Sequence, residues 1–148
     1  MSDHTLSPTL AQDCANAMWQ DDLAAQHLGM QLLDVETGKA SMRMRIKSHM
    51  LNGHGTCHGG YIFTLADTCF AFACNTYNQR TVAQHCSITY LEPALENDEL
   101  TAYAREISKQ GRSGLYDVVI RNQNGKHIAE FRGHARTIKG TLLPSTQP

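Results

Sequence analysis

The chain holds 148 residues, 41% of them hydrophobic and 18% charged, with a formal net charge of −1. That length and apolar content support one compact domain with its own core, and they exclude a disordered or fibrous chain. The near-neutral balance supplies no general attraction to nucleic acid or to an anionic membrane, so neither is expected as a partner.

Five cysteines, Cys14, Cys57, Cys69, Cys74 and Cys86, make an odd number and include no CxxC pair. The N-terminal MSDHTLSP has neither the basic region nor the apolar core of a secretory leader. Together these features predict reduced thiols, no disulfides and a cytoplasmic location. The longest apolar run falls in residues 61–75, where Asp67 and threonines interrupt it. It is shorter than the roughly 20 residues a membrane-spanning helix needs.

In chain order, residues 1–8 are polar and expected to fray. Residues 9–29 are helix-compatible, with Leu10, Cys14, Ala17 and Met18 at helical spacings, a break expected near Asp21 and a natural stop at Gly29. Residues 30–46 read as a hairpin turning at Thr37-Gly38, with Met42, Met44 and Ile46 alternating against Arg43 and Arg45. A loop over residues 47–57 leads into the central segment. Beyond that segment only strands are predicted: residues 81–91, 99–108, 115–121 and 127–138. Residues 109–114 and an Asn124-Gly125 turn separate the last three of these. Residues 140–148 carry two prolines and are expected to fray. With no internal repeat or linker, residues 1–148 form one α+β domain. Its expected architecture is an antiparallel sheet of about five to six strands wrapped around one long helix, with an N-terminal helical segment.

The central segment reads LNGHGTCHGGYIFTLADTCFAFACN from Leu51 to Asn75. Its polar loop ends at Gly59-Gly60, and residues 61–75 contain neither proline nor glycine, which predicts a buried helix. Asp67 sits near its middle, far in sequence from any lysine or arginine. A buried carboxylate without a partner costs several kcal/mol, so Asp67 must be hydrogen-bonded, protonated or open to a ligand. Gly60, Thr64, Asp67, Thr68, Ala71 and Asn75 fall at spacings that draw one stripe of small or polar residues along the helix, the expected wall of a site. At the helix start, glycines allow a sharp turn and expose free N–H groups suited to an anion or a developing oxyanion. Gly59 and Asp67 are about 12 Å apart along such a helix, too far for one carbonyl to touch both. If both act on one carbonyl, two copies of the chain share each site.

His49, His54, Cys57 and His58 supply metal-ligating types within ten positions, but their spacing fits no standard ligand pattern and no metal is expected. Cys57 beside His58 is a weaker candidate for a thiol nucleophile. His4, His27, His85, His127 and His134 are scattered and are read as surface or structural histidines.

An antiparallel sheet around one central helix is the hotdog fold. The runs Asn52-Gly53-His54, His58-Gly59-Gly60 and Leu65-Ala66-Asp67-Thr68 make the chain resemble acyl-CoA thioesterases of the phenylacetic acid degradation type. The likeness extends from residues 20–29 through Gly111 to Asp117 and to Phe131-Arg132-Gly133. It implies that Asp67 activates water or attacks the thioester, while the N–H of Gly59, with Gly60, polarises the carbonyl. His58 would support the oxyanion loop, and Asn52 would hydrogen-bond near the thioester. The resemblance also implies a site across a dimer interface, pairing of dimers into a homotetramer, and coenzyme A as part of the substrate with no separate cofactor. Relatives with serine or threonine at the place of Ala83 suggest that this chain lacks a polar helper or borrows Gln84.

A thioester suits such sparse machinery, because sulfur donates poorly into the carbonyl and leaves readily as thiolate; one base and one oxyanion donor suffice. Lys109 and Arg112 are candidates for the nucleotide or phosphates of coenzyme A. Thr68 and Tyr61 are candidates for substrate contact, with Tyr61, Phe63 or Phe70 lining an aryl pocket. A medium-chain acyl-CoA thioesterase, a hydratase or dehydratase using His58 with Asp67, and a non-catalytic acyl-CoA binding module are the alternatives.

Overall fold

The structure, a computed structural model, describes residues 9–144. Residues 1–8 and 145–148, expected to fray, lie outside the described residues.

The N-terminal helical segment is two helices, broken at the expected place. Helix α1 (Leu10–Asp21) opens on a capping box in which Thr9 accepts from the Gln12 N–H and the Gln12 side chain accepts from the Thr9 N–H. It gives way at Asp22, whose carboxylate accepts the Ala25 N–H at 3.0 Å and so starts α2 (Leu23–His27). The break thus falls where a second cap is available. Gly29, at φ +74°, then turns the chain into the sheet.

Strands β1 (Gln31–Glu36) and β2 (Lys39–Arg45) form the first hairpin. After a 3-10 turn at Ser48–Met50 comes α3 (Gly59–Cys74), followed by β3 (Thr81–Tyr90), β4 (Glu99–Gln110), β5 (Ser113–Arg121) and β6 (His127–Thr137). All pairings are antiparallel, in the order β1-β2-β4-β5-β6-β3. This is the hotdog arrangement. The expected loop at 109–114 is much tighter: Gln110 pairs with Ser113, leaving Gly111 and Arg112 as the turn. Gly111 at φ +59° permits that reversal.

Helix α3 crosses the inner face of the sheet and buries Ile62, Leu65, Ala66, Cys69, Phe70, Phe72, Ala73 and Cys74. Opposite it are Met42 and Met44 of β2, Ala102 and Ala104 of β4, and Val118 and Ile120 of β5. The two alanines let the helix approach β4 closely enough for the Cys69 thiol to meet the carbonyls of Ala40 and Ala102. All five cysteines carry free thiols. Phe70 packs against Tyr116 and Phe131 at ring-centroid distances of 5.6 and 5.7 Å. It is a core residue, not a pocket wall, because β6 brings Gly133 directly beneath it.

The end of α3 is fastened by side chains. Asn75, expected in the site stripe, is buried; its amide donates to the carbonyls of Ala71 and Thr81 and its oxygen accepts from Thr81 N–H, each at 2.9 Å. Residues 140–143, also expected to fray, are tied down here: the Gly140 carbonyl accepts from Arg80 N–H, and Asn78 accepts from the N–H groups of Leu142 and Leu143. Glu106 receives the hydroxyls of Tyr77 and Tyr116 at 2.8 and 3.0 Å. Burial and this carboxylate push the Tyr77 hydroxyl up to about 12. Among the described residues, no helix is long and apolar enough to cross a membrane.

A Cβ on Gly133 would lie 2.7 to 2.8 Å from the Phe70 ring, whereas one on Gly53 meets nothing within 4 Å. Gly133→Ala is therefore expected to destabilise the domain by about 1–3 kcal/mol, read as a Tm several degrees lower at fixed protein concentration. Gly53→Ala should melt like the wild type. Equal melting of both variants would show that Phe70 yields without cost.

Candidate active site

The site is built from the stretch of α3 between Gly59 and Asp67 and from the loop that feeds it. That loop is closed by a bridge between Leu51 and Cys57, and the Cys57 N–H reaches the Ala94 carbonyl at 2.8 Å. His58 is the N-cap: its N–H donates to Met50, its carbonyl accepts from Tyr61, and its Nδ1 accepts the Gly60 N–H at 3.1 Å. The imidazole thus supports the helix entry as the resemblance implies. The same bond gives the Gly60 N–H, expected as a second oxyanion donor, an acceptor within the chain. The Gly59 N–H, by contrast, has no acceptor among the described residues, and it stands at the positive end of a helix of 16 residues.

Gly59 is also a steric requirement. A Cβ there would lie 2.8 Å from Cζ of Tyr90, and the Tyr90 hydroxyl donates to the Gly59 carbonyl at 2.8 Å. Asn52 serves the loop itself. Its Oδ1 accepts from the N–H groups of His54 and Thr56 at 2.9 and 3.2 Å, and its Nδ2 donates to the Thr56 hydroxyl at 3.1 Å. In this chain Asn52 holds the entry loop in shape.

Along α3, the row Gly60, Thr64, Asp67, Thr68 and Ala71 is left partly open to solvent, with Tyr61 and Phe63 half-buried beside its start. The two threonines bond back to their own helix, Thr64 to the Gly60 carbonyl at 2.8 Å and Thr68 to the Thr64 carbonyl at 2.7 Å. The row is therefore polar at its surface yet offers no free hydroxyl proton. Tyr61 lies edge-on to His49 and His58 at 6.2 and 6.5 Å.

Asp67 is half-buried and makes no ion pair among the described residues. Its one side-chain donor there is the Cys86 thiol, at 4.0 Å from Oδ1. Burial pushes the Asp67 carboxyl above the usual carboxylate range, and the carboxylate of Asp22 pushes it the same way. The thiol rises in turn to about 11, through its own burial and the charge of Asp67. A desolvated carboxylate with no cation beside it is a stronger base than a surface aspartate, and Asp67 belongs to the open row of the helix.

Two residues at this site were missed in the sequence, Cys86 and Tyr90. Both lie on β3, with Ile88 between them, and pair in register with Gly133 and Ala129 of β6. The period-two pattern of residues 86–90 places them on one face; nothing local told which face met α3. A register shift between Ala83 and His85 leaves Gln84 exposed, so the polar group that β3 presents to Asp67 is Cys86 rather than Gln84.

Lys109 and Arg112 lie elsewhere. Lys109 sits 4.7 Å over the Tyr77 ring, and the Arg112 carbonyl accepts from Thr137 N–H at 2.8 Å. Both belong to the end of the molecule where α3 stops, roughly 24 Å of helix from where it starts. Among the described residues no three His, Cys, Asp or Glu side chains converge as metal ligands. His49, His54, Cys57 and His58 are spread around the loop, with the Cys57 thiol pushed up to about 11 by burial. A cavity of about 390 Å³ lies beside Asn75 and Arg80, and one of about 530 Å³ lies between α1 and β1; neither is lined by Gly59 or Asp67.

Comparison with known proteins shows the family and the fold. Residues 54–129, which span the loop, α3 and the strands through the start of β6, match the thioesterase superfamily. The chain belongs to that family. It is 42% identical to the acyl-coenzyme A thioesterase PaaI of Escherichia coli K12 over 86% of this chain and 91% of that protein. The solved structure of the E. coli PaaI protein from the phenylacetic acid degradation operon superposes with a TM-score of 0.88, covering 89% of this chain and 96% of that one. A variant of the phenylacetic acid degradation protein PaaI from Thermus thermophilus follows at 32% identity and a TM-score of 0.76, over 79% of this chain and 100% of that one. The fold expected from a sheet around one helix, and the family expected from the runs between Asn52 and Thr68, are thereby borne out.

A folded pKa raised above the unfolded value of about 3.9 means that folding favours the protonated carboxyl of Asp67. That contribution to stability is complete below the unfolded pKa and is lost as pH rises through the folded one. At neutral pH the ionised side chain weighs against the fold. Asp67→Asn is expected to raise Tm at about pH 7 and to lose that advantage near about pH 3–4, measured by scanning calorimetry. A lower Tm at neutral pH would contradict a desolvated carboxylate with no cation beside it.

Proposed function

We propose that this thioesterase hydrolyses aryl-type acyl-CoA thioesters, the phenylacetyl and hydroxyphenylacetyl class, to the free acid and coenzyme A. The observation that carries the reading is one helix presenting an unpartnered N–H at Gly59 and a desolvated carboxylate at Asp67. The aryl substrate class is supported by the 42% identity to the E. coli acyl-coenzyme A thioesterase from the phenylacetic acid degradation operon.

In this reading the thioester carbonyl oxygen accepts the Gly59 N–H, and Asp67 of the partner subunit faces the carbonyl carbon through a water molecule. Asp67 takes one proton from that water as its oxygen bonds to the carbonyl carbon, and negative charge moves onto the carbonyl oxygen at the helix N-terminus. The tetrahedral intermediate collapses, the C–S bond breaks, and the thiolate of coenzyme A leaves with the proton from Asp67. Burial favours Asp67 as base, since its raised pKa makes it a better proton acceptor; direct attack to a mixed anhydride would use the same two groups. The assembly proposed is a dimer with shared sites, paired into a homotetramer, in the cytoplasm and with no cofactor beyond the coenzyme A of the substrate.

Two alternatives fit less well. A hydratase needs a histidine free to transfer a proton beside the acid, but His58 Nδ1 already accepts the Gly60 N–H at 3.1 Å. A module that only binds acyl-CoA would leave Asp67 without a chemical role, whereas a desolvated carboxylate with no cation beside it is suited to a base.

Coenzyme A release, followed with a thiol-reactive dye over phenylacetyl, hydroxyphenylacetyl, benzoyl and straight-chain acyl-CoAs, tests the reading. Wild type should turn over the aryl-acetyl substrates best, and Asp67→Asn should lower kcat by about 10²–10⁴-fold while remaining folded. The acid limb of the kcat/KM profile should titrate above the ordinary aspartate value of about 3.9. An equally active Asn variant would rule out Asp67 as base. A preference for straight-chain substrates would replace the aryl reading with the medium-chain one.

A further inference from the structure

A helix that begins Gly-Gly has a weakly restrained first turn, because glycine is permissive in φ and ψ and the first four N–H groups of a helix have no intrahelical acceptor. An oxyanion donor, however, contributes to catalysis only if it is already aimed when charge develops. Something must hold Gly59 still. His58 fixes one side by capping Gly60 at 3.1 Å and anchoring its own N–H on Met50 at 2.8 Å. On the other side of the Gly59 Cα the Tyr90 hydroxyl donates to the Gly59 carbonyl at 2.8 Å, and the Tyr90 ring fills the space where a Cβ would stand. The ring itself is held on β3, whose register against β6 places Tyr90 opposite Ala129.

We infer that Tyr90 is a positioning residue for the Gly59 N–H: its hydroxyl and ring lock the Gly59 backbone from β3 so that the free donor points at the substrate carbonyl. This rests on the reading of Gly59 as oxyanion donor. Tyr90 stays protonated as a donor, because burial and the neighbouring Cys57 both push its hydroxyl above the ordinary value. The role also accounts for glycine at position 59 rather than any other small residue, since even alanine would displace the ring. The tether works through the backbone, so it should affect turnover without touching the base or the binding of coenzyme A.

Tyr90→Phe keeps the ring and deletes only the donor. It is expected to lower kcat about tenfold, in line with the loss from a slightly misaimed donor. KM should stay within about twofold and the acid limb set by Asp67 should not move. Amide hydrogen exchange at Gly60 and Tyr61 should quicken by a similar factor, while exchange at Thr68 to Phe72 stays as in wild type. A wild-type kcat in Tyr90→Phe overturns the inference. So does a lower kcat with unchanged exchange at the helix start, or with faster exchange throughout α3, since either would mark a role other than the local tether. If the wild type proves inactive on every thioester, the failure belongs to the proposed function; the tether is then decided by exchange alone, and unchanged exchange at Gly60 and Tyr61 overturns it.

Discussion

A helix laid inside a curled sheet is enclosed on three sides, and those sides have to be apolar. For α3 this is met by Leu65, Ala66, Cys69, Phe70, Phe72 and Ala73, all at or near zero exposure. The sheet makes room with alanines on β4 and with Gly133 on β6. The fourth side is left over, and Gly60, Thr64, Asp67, Thr68 and Ala71 occupy it. The proposed base belongs to that row, and the proposed donor, the Gly59 N–H, stands at its start. Asp67 sits at its middle because there the neighbouring core removes water from the carboxylate without enclosing it. The same desolvation that raises its basicity makes it a burden on the fold, a conflict typical of functional sites.

The helix also sets the distance between donor and base. It is rigid between Gly59 and Asp67, so about 12 Å separates them and one chain cannot bring both to one carbonyl. The sheet ends on β3, which pairs only with β6 and leaves Val82 and Tyr90 about half exposed, at 45% and 48%. An unpaired edge strand of ten residues is a natural place for a second copy to add. Because β3 also carries Cys86 and Tyr90, the strand best placed for self-association is the one that touches both Asp67 and Gly59 of α3.

Local chemistry made much of this legible before any coordinates. Glycines before an uninterrupted apolar run marked the start of α3, an aspartate without a cation marked its reactive point, and period-two alternation marked the strands. What stayed hidden was which partner each polar group would find. The sequence marks Gly60 as a second donor but not that His58 Nδ1 accepts its N–H, and marks Asn52 as a substrate contact but not its bonds to Thr56 and His54. Lys109 and Arg112 carry suitable charge, but register in the β4–β5 hairpin places them at the far end of α3. Phe70 and Phe63 are both aromatic in the sequence; only the arrival of Gly133 beneath Phe70 makes it core. Tyr90 and Cys86 become informative through pairing of β3 with β6, a contact between residues well separated in the chain. Long-range pairing of this kind leaves no local mark.

The shared site requires that Gly59 of one subunit and Asp67 of its partner serve the same substrate. Mixing two inactive variants tests this directly. Gly59→Pro deletes the N–H at a helix position where proline is well accepted, after a residue already extended at ψ 132°. Its ring also displaces Tyr90, so the donor is lost together with its tether. Asp67→Asn deletes the base. In a hybrid dimer of the two, one site would hold both defects and the other neither. Differently tagged variants, mixed and purified as confirmed hybrids, should therefore recover about half of wild-type turnover. Confirmed hybrids as inactive as their parents would show that both groups act within one chain, and the shared site would have to be abandoned.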